Sequence, residues 1–268
     1  MKTIHKILFI AVLAIGQACS DNDDHMDPSD GLVQVATVSV PDSEYEIIMY
    51  LEEGKSLEVG YNHYYMGLYD ADGVWMENAH LSLVPMMTMN ESGMMHSVPY
   101  EEHEHDHSAH MLQEYGTVFV MPSTAGSWVL NIDVIELDSE FQGVATLPIT
   151  VDLPEVTKMT SIAHEDGDLF ISLVNPEAFE VGSNDLELTI HQRETMMSWP
   201  AVKNLTVEIE PEMPAMGHGS PNNENPVHDA MGHYLGTVNF TMTGEWVINV
   251  TIKDGENTVV ETAFTVNL

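Results

Sequence analysis

The chain holds a single cysteine, Cys19, among 268 residues, so it can build no redox pair of thiols, and the lipidation expected of Cys19 below leaves no thiol nucleophile either. Basic residues are almost as scarce, with Lys and Arg numbering seven against 43 Asp and Glu. Neutralising phosphates needs the cations this chain lacks, which excludes nucleic acid as a partner. No glycine-rich phosphate cradle precedes a helix, and no apolar pattern holds helical period for more than a turn or two. Ser, His and Asp are scattered, and acids are too common for any carboxylate pair to stand out. No enzyme signature results, and the chain is read as a non-enzyme.

The one long apolar run, Ile7 to Ile15, follows Lys2 and Lys6 and is too short to span a bilayer as a stable helix. Residues 1–18 are therefore expected to be a secretory signal peptide. Small residues one and three positions before Cys19, in Ala14-Ile-Gly-Gln-Ala-Cys19, resemble a relaxed bacterial lipobox. That resemblance makes Cys19 the lipidated mature N-terminus and the membrane a partner through the anchor, in an outer-membrane lipoprotein facing the periplasm or the cell surface. Residues 19–31 include Ser20-Asp-Asn-Asp-Asp24 and show no apolar period, so they are expected to form a disordered acidic tether. In composition the tether resembles that of surface-exported lipoproteins of Bacteroidota.

From Leu32 onward, short alternating segments are divided by Gly, Pro, Asn and Asp. Trp246, Ile248, Val250 and Ile252 alternate with polar positions. Leu205, Val207 and Ile209 do likewise, and so do Trp128, Leu130, Ile132 and Val134. Each reads as a half-buried antiparallel strand. The pattern also recurs. Val59-Gly60 returns as Val181-Gly182, Met94-Met-His96 as Met216-Gly-His218, Gly116-Thr-Val118 as Gly236-Thr-Val238, and Trp128 as Trp246. The expected fold is all-β, with two tandem immunoglobulin-like β-sandwich domains at 32–153 and 154–268, each large enough for its own core. The closing strand of the first is expected over Ala145 to Leu153.

Methionine, at 19 residues, and histidine, at 14, stand well above the roughly 2% each of an ordinary domain. In the second half the strand ending at Glu210 is expected to run into a loop carrying Met213, Met216 and His218. A second set, His228, Met231 and His233, precedes the strand Gly236 to Met242, and side-by-side loop ends would bring the two sets together. Thioether is a soft ligand suited to Cu(I), while imidazole serves both copper states, zinc and nickel, so the mixture points to copper. The plainer reading makes the methionines gap-fillers, and Met242 is expected in the core beside Val238 and Phe240. The first half has a longer counterpart: Met89, Met94 and His96, then the tract containing His103, His105, His107, His110 and Met111. Its alternating acids and imidazoles read as a loose chelator for Cu(II), zinc or nickel. Met86 and Met87 are read as strand-end core residues.

Met213-Pro-Ala-Met-Gly-His-Gly219, Gly232-His-Tyr-Leu-Gly236 and Phe240-Thr-Met-Thr-Gly-Glu-Trp246 resemble the YtkA-like, FixH-like family of exported β-sandwich domains. The resemblance implies Met213, Met216, His218 and His233 as metal ligands, copper as the metal, and a copper-transport or oxidase-assembly protein as partner. By constant offset, Glu91 stands where the first half should carry its counterpart of Met213. The resulting expectation is a copper-binding envelope lipoprotein for buffering, tolerance or delivery. Two rivals stay open: a surface interaction or adhesion module, and zinc or nickel capture by the histidine tract.

Overall fold

The computed structural model describes residues 27–103 and 111–268. Cys19, most of the tether, and His105, His107 and His110 lie outside the described residues. Among those described, no helix is long and apolar enough to cross a membrane.

The fold is all-β, and the strands among the described residues form four antiparallel sheets. In the first half, β1 (Leu32–Ser39), β2 (Glu46–Glu52), β3 (Gly60–Tyr69), β7 (Gln113–Phe119) and β6 (Tyr100–His103) lie side by side in that order. Facing them are β5 (Met95–His96), β4 (Ala79–Met89), β8 (Gly126–Glu136) and β9 (Phe141–Ile149). Tyr64, Met66, Leu68, Leu81, Leu83, Trp128, Leu130 and Leu147 fill the space between the two sheets.

The second half repeats this order strand for strand. One sheet holds β10 (Met159–Ile162), β11 (Leu169–Leu173), β12 (Gly182–Gln192), β16 (His233–Phe240) and β15 (Glu224–His228). The other holds β14 (His218–Gly219), β13 (Thr206–Met213), β17 (Glu245–Asp254) and β18 (Asn257–Asn267). Ile171, Leu188, Ile190, Tyr234, Val238, Trp246, Ile248 and Phe264 form its core. The alternation anticipated for Trp246 to Ile252 and for Trp128 to Val134 is seen, each named residue being buried between half-exposed or exposed neighbours. Strand ends differ: β9 stops at Ile149, four residues before the expected Leu153.

The recurring Val-Gly has a backbone cause. Gly60 and Gly182 open β3 and β12 at φ +120° and +122°, a region hostile to side chains. In each copy an asparagine two residues on closes the bend. Asn62 Nδ2 donates to Gly60 O at 2.8 Å, and Asn184 Nδ2 to Gly182 O at 2.9 Å.

The two five-stranded sheets meet through their outer faces. All five residues of β11 are buried, so Phe170 and Ser172 are covered although they point away from the core. Tyr61 N donates to Ser172 Oγ at 2.8 Å, and Ser97 N to Met196 O at 2.8 Å. Lys158 bridges to Glu58 at 2.8 Å and to Glu177 at 3.4 Å, beside a cleft of about 550 Å³.

Candidate functional site

The stretch expected as a loop after Glu210 folds as a hairpin. β13 continues to Met213, the chain turns through Met216 and Gly217, and β14 returns with His218 directly opposite Met213. Gly217 at φ +64° supplies the left-handed turn residue. Residues directly opposite on antiparallel strands hold their Cβ atoms about 5 Å apart, so a thioether and an imidazole become neighbours.

Packing fixes both partners. Met213 is 5% exposed and belongs to the core, with its methyl end against Gly244, where an added Cβ would lie 2.7 Å away. His218 packs edge-on to Trp246 with ring centroids 5.8 Å apart, and the indole N–H donates to Met242 O at 3.0 Å. His218 Nδ1 donates to Gly219 O at 2.9 Å, since a carbonyl can only accept. That bond selects the tautomer whose Nε2 keeps its lone pair, the arrangement by which a backbone carbonyl orients a metal-binding histidine. Met216, 61% exposed, stands in the turn as a second thioether. Met242 lies beyond the end of β16 and is exposed instead of sharing the core with Phe240.

The other expected set does not join this one. His218 adjoins Trp246, which adjoins Phe240 at the end of β16, whereas His233 opens the same strand. Seven steps of strand separate the two ends, about 23 Å. His228 ends β15 and packs on Tyr234, Met231 sits exposed in the turn at φ +49°, and the strand expected to begin at Gly236 already begins at His233.

His233 is committed to a different task. Its Nδ1 lies 2.5 Å from Glu187 Oε1 and its Nε2 2.7 Å from Glu101 Oε1, the latter from the first half of the chain. Burial alone would depress this imidazole, but the two carboxylates outweigh it and lift its pKa to about 9. With both ring nitrogens donating, no lone pair is left for a metal, which removes His233 from the expected ligands. Beside it, burial pushes His191 down to about 4, and Glu101 only partly offsets that.

The first half reproduces the hairpin in altered length. His96 lies opposite Met87, not opposite the Glu91 that constant offset selects, because this hairpin is four residues longer. Glu91 sits exposed in its turn, Met89 is half-buried, and Met94 is exposed. His96 packs edge-on to Trp128 at 5.5 Å and its Nδ1 donates to Ser97 O at 2.8 Å. Met87 is fully buried, as expected, and its methyl end would lie 2.7 Å from a Cβ on Gly126. His103 pairs with Glu114 near the start of β7, while Trp128 adjoins Phe119 at its end, so His103 lies at the opposite end of the sandwich from His96. Exposed Met111 follows the tract.

Sequence reasoning missed Met87 as the partner of His96, and it noted the recurring tryptophans without placing them, or the glycines before them, against the Met and His pairs. The recurrence of Trp128 as Trp246, each two residues after a glycine, was the available signal. Among the described residues, no group of three or more His, Cys, Asp or Glu side chains is arranged to hold a metal ion. The donors that do come together are thioether and imidazole.

No curated protein matches the chain. A similar solved structure is the crystal structure of the conserved domain protein from Bacillus anthracis, 10% identical over 91% of this chain and 93% of that one. The superposition, with a TM-score of 0.33, is too distant to support an argument. Residues 163–251 match the model of the YtkA-like family, a span running from just before β11 into β17 and containing the Met213–His218 hairpin. The second half of the chain carries a YtkA-like domain.

Proposed function

We propose that this protein is an accessory lipoprotein of the bacterial envelope that binds copper, as Cu(I), at the open tip of its second sandwich. Met213, Met216 and His218 are the ligands. The observation that carries this reading is the cross-strand pairing of Met213 with His218, whose Nδ1–H is held by Gly219 O so that Nε2 is left as a donor. Thioether with imidazole favours a soft monovalent ion over zinc, magnesium or calcium. The YtkA-like match across this hairpin supports an envelope role, and the lipobox-like segment before Cys19 supports the anchor. Net charge of −36 adds a field that concentrates cations near the surface.

The residues present suit such an ion. Met213 is oriented by core packing, Met216 is free to close over the site, and neither offers the thiolate that an oxidising compartment would consume. An exposed, two-strand tip suits transfer of the ion to a partner in copper transport or oxidase assembly, because the ion need not cross a closed shell.

The test is titration of the chain from Ser20 onward with Cu(I) against a competing chelator, alongside Met216→Ala/His218→Ala and Met213→Leu, which removes sulfur while keeping volume. Loss of tight binding in both variants is expected. Tight binding unchanged in both would overturn the reading. If histidine-tract substitutions alone abolish metal uptake, zinc or nickel capture replaces it; if no metal binds tightly, the interaction-module reading does.

A further inference from the structure

We infer that the first sandwich holds a second soft-cation site, formed by Met87 and His96 and closed over by the second domain. The inference rests on the copper reading above and extends it to a part of the chain outside the YtkA-like match.

The two tips share one construction. Met87 opposite His96 corresponds to Met213 opposite His218, Gly126 to Gly244, and Trp128 to Trp246. In both, the indole N–H is tied to the backbone oxygen of a methionine, Met121 at 2.9 Å and Met242 at 3.0 Å. A glycine two residues before each tryptophan leaves room for the methionine methyl, which orients the thioether by packing.

His96 supplies the independent observation. It is 3% exposed, its Nδ1–H is spent on Ser97 O, and its Nε2 is buried with no hydrogen-bond partner. Buried polar atoms are almost always satisfied, and a histidine serving only to fill this position would be better replaced by an apolar ring. A bare imidazole nitrogen, on a residue directly opposite a methionine whose thioether is packed in place, offers what a monovalent soft ion takes up.

What differs is access. The segment from Arg193 to Ala201 of the second domain lies over this tip, with the Trp199 ring 6.5 Å from His96 and Met196 O receiving the Ser97 N–H. Met94, Met95, Met196 and Met197 are all exposed around this junction, thioethers on both sides of the seam through which an ion would pass. The capped site is therefore the slow store and the open tip the fast one.

The test uses the chain from Ser20 onward with His103, His105, His107 and His110 replaced by Ala, so that the tract contributes no binding. Titrated with Cu(I) against a chelator, this protein is expected to bind two equivalents, one released at least tenfold more slowly. Met216→Ala/His218→Ala should remove the fast equivalent and leave the slow one. His96→Phe and Met87→Leu should remove the slow one. Trp199→Ala should keep both but release the slow one at least tenfold faster. If the background binds one equivalent and Met216→Ala/His218→Ala binds none, the capped site is overturned and the open tip stands. If the background binds none, both readings fall. Should the buried variants fail to fold, methyl NMR of the background protein decides: the Met87 ε-methyl must move with the second equivalent, and movement of only Met213 and Met216 overturns the capped site.

Discussion

The tip of the second sandwich stands in solvent, with Met216 61% exposed, while the tip of the first lies under its neighbour, with His96 3% exposed. The strands, glycines and tryptophans that build the two are the same. The contrast shows how packing one half on the other changes a repeated arrangement without touching its side chains: the imidazole, its carbonyl restraint and the facing thioether are the same, and only the path to them differs. The seam between the halves, with His233 held by two carboxylates, is thus as much a part of the first tip's character as its own residues.

Stability experiments sharpen this contrast, beginning with the largest effect. Met87→Ala empties a fully buried position and is expected to cost about 2–5 kcal/mol, against a smaller loss for Met213→Ala, whose side chain lies nearer solvent. Urea unfolding of both variants measures it, and equal losses would show that the two tips are packed alike.

The seam gives the next effect. His233 has a folded pKa of about 9 against an ordinary 6.5, so its contribution is fully present below pH 6.5 and disappears as pH rises through 9. His191, lowered to about 4, acts in the opposite window: between 6.5 and 4 the unfolded chain takes up a proton that the folded one refuses, so stability falls as pH drops. Together they place the optimum near pH 6.5. The alkaline loss is expected to be on the order of 3 kcal/mol, and His233→Gln should flatten that limb. A pH series of unfolding midpoints on wild type and variant reads both arms; an unchanged alkaline limb in the variant would detach His233 from the seam.

Gly126→Ala comes third. The new Cβ would sit 2.4 Å from Thr88 O, backbone that cannot step aside, and a loss of about 1–3 kcal/mol in thermal unfolding is expected. At the other extreme, Met216→Ala should change stability by less than about 0.5 kcal/mol, since its side chain is largely in solvent. A larger change there would mean that the open tip is held together by its turn.

Much of this fold was legible because strand alternation is local: Trp128 to Val134 and Trp246 to Ile252 announce their own buried faces. The internal repeat was legible for the same reason, through motifs such as Val-Gly that a positive φ demands. Hairpin length was not, since offset arithmetic assumes equal turns, and it selected Glu91 where a longer hairpin puts Met87. The expected meeting of Met213, Met216 and His218 with His228 and Met231 failed because nearness in sequence hid the full length of β16 between them. The docking of the halves left one overlooked trace. Leu169 to Leu173 is apolar at four of five positions, which is how a strand covered on both faces reads.

That strand has a consequence for how the molecule can be divided. Phe170, Ser172, Thr189 and His191 form an outward surface that is buried only while the halves stay together. Cutting between β9 and β10 would not release two self-sufficient modules. It would uncover this face of sheet, Phe170 with it, so the two halves hold their structure as one piece.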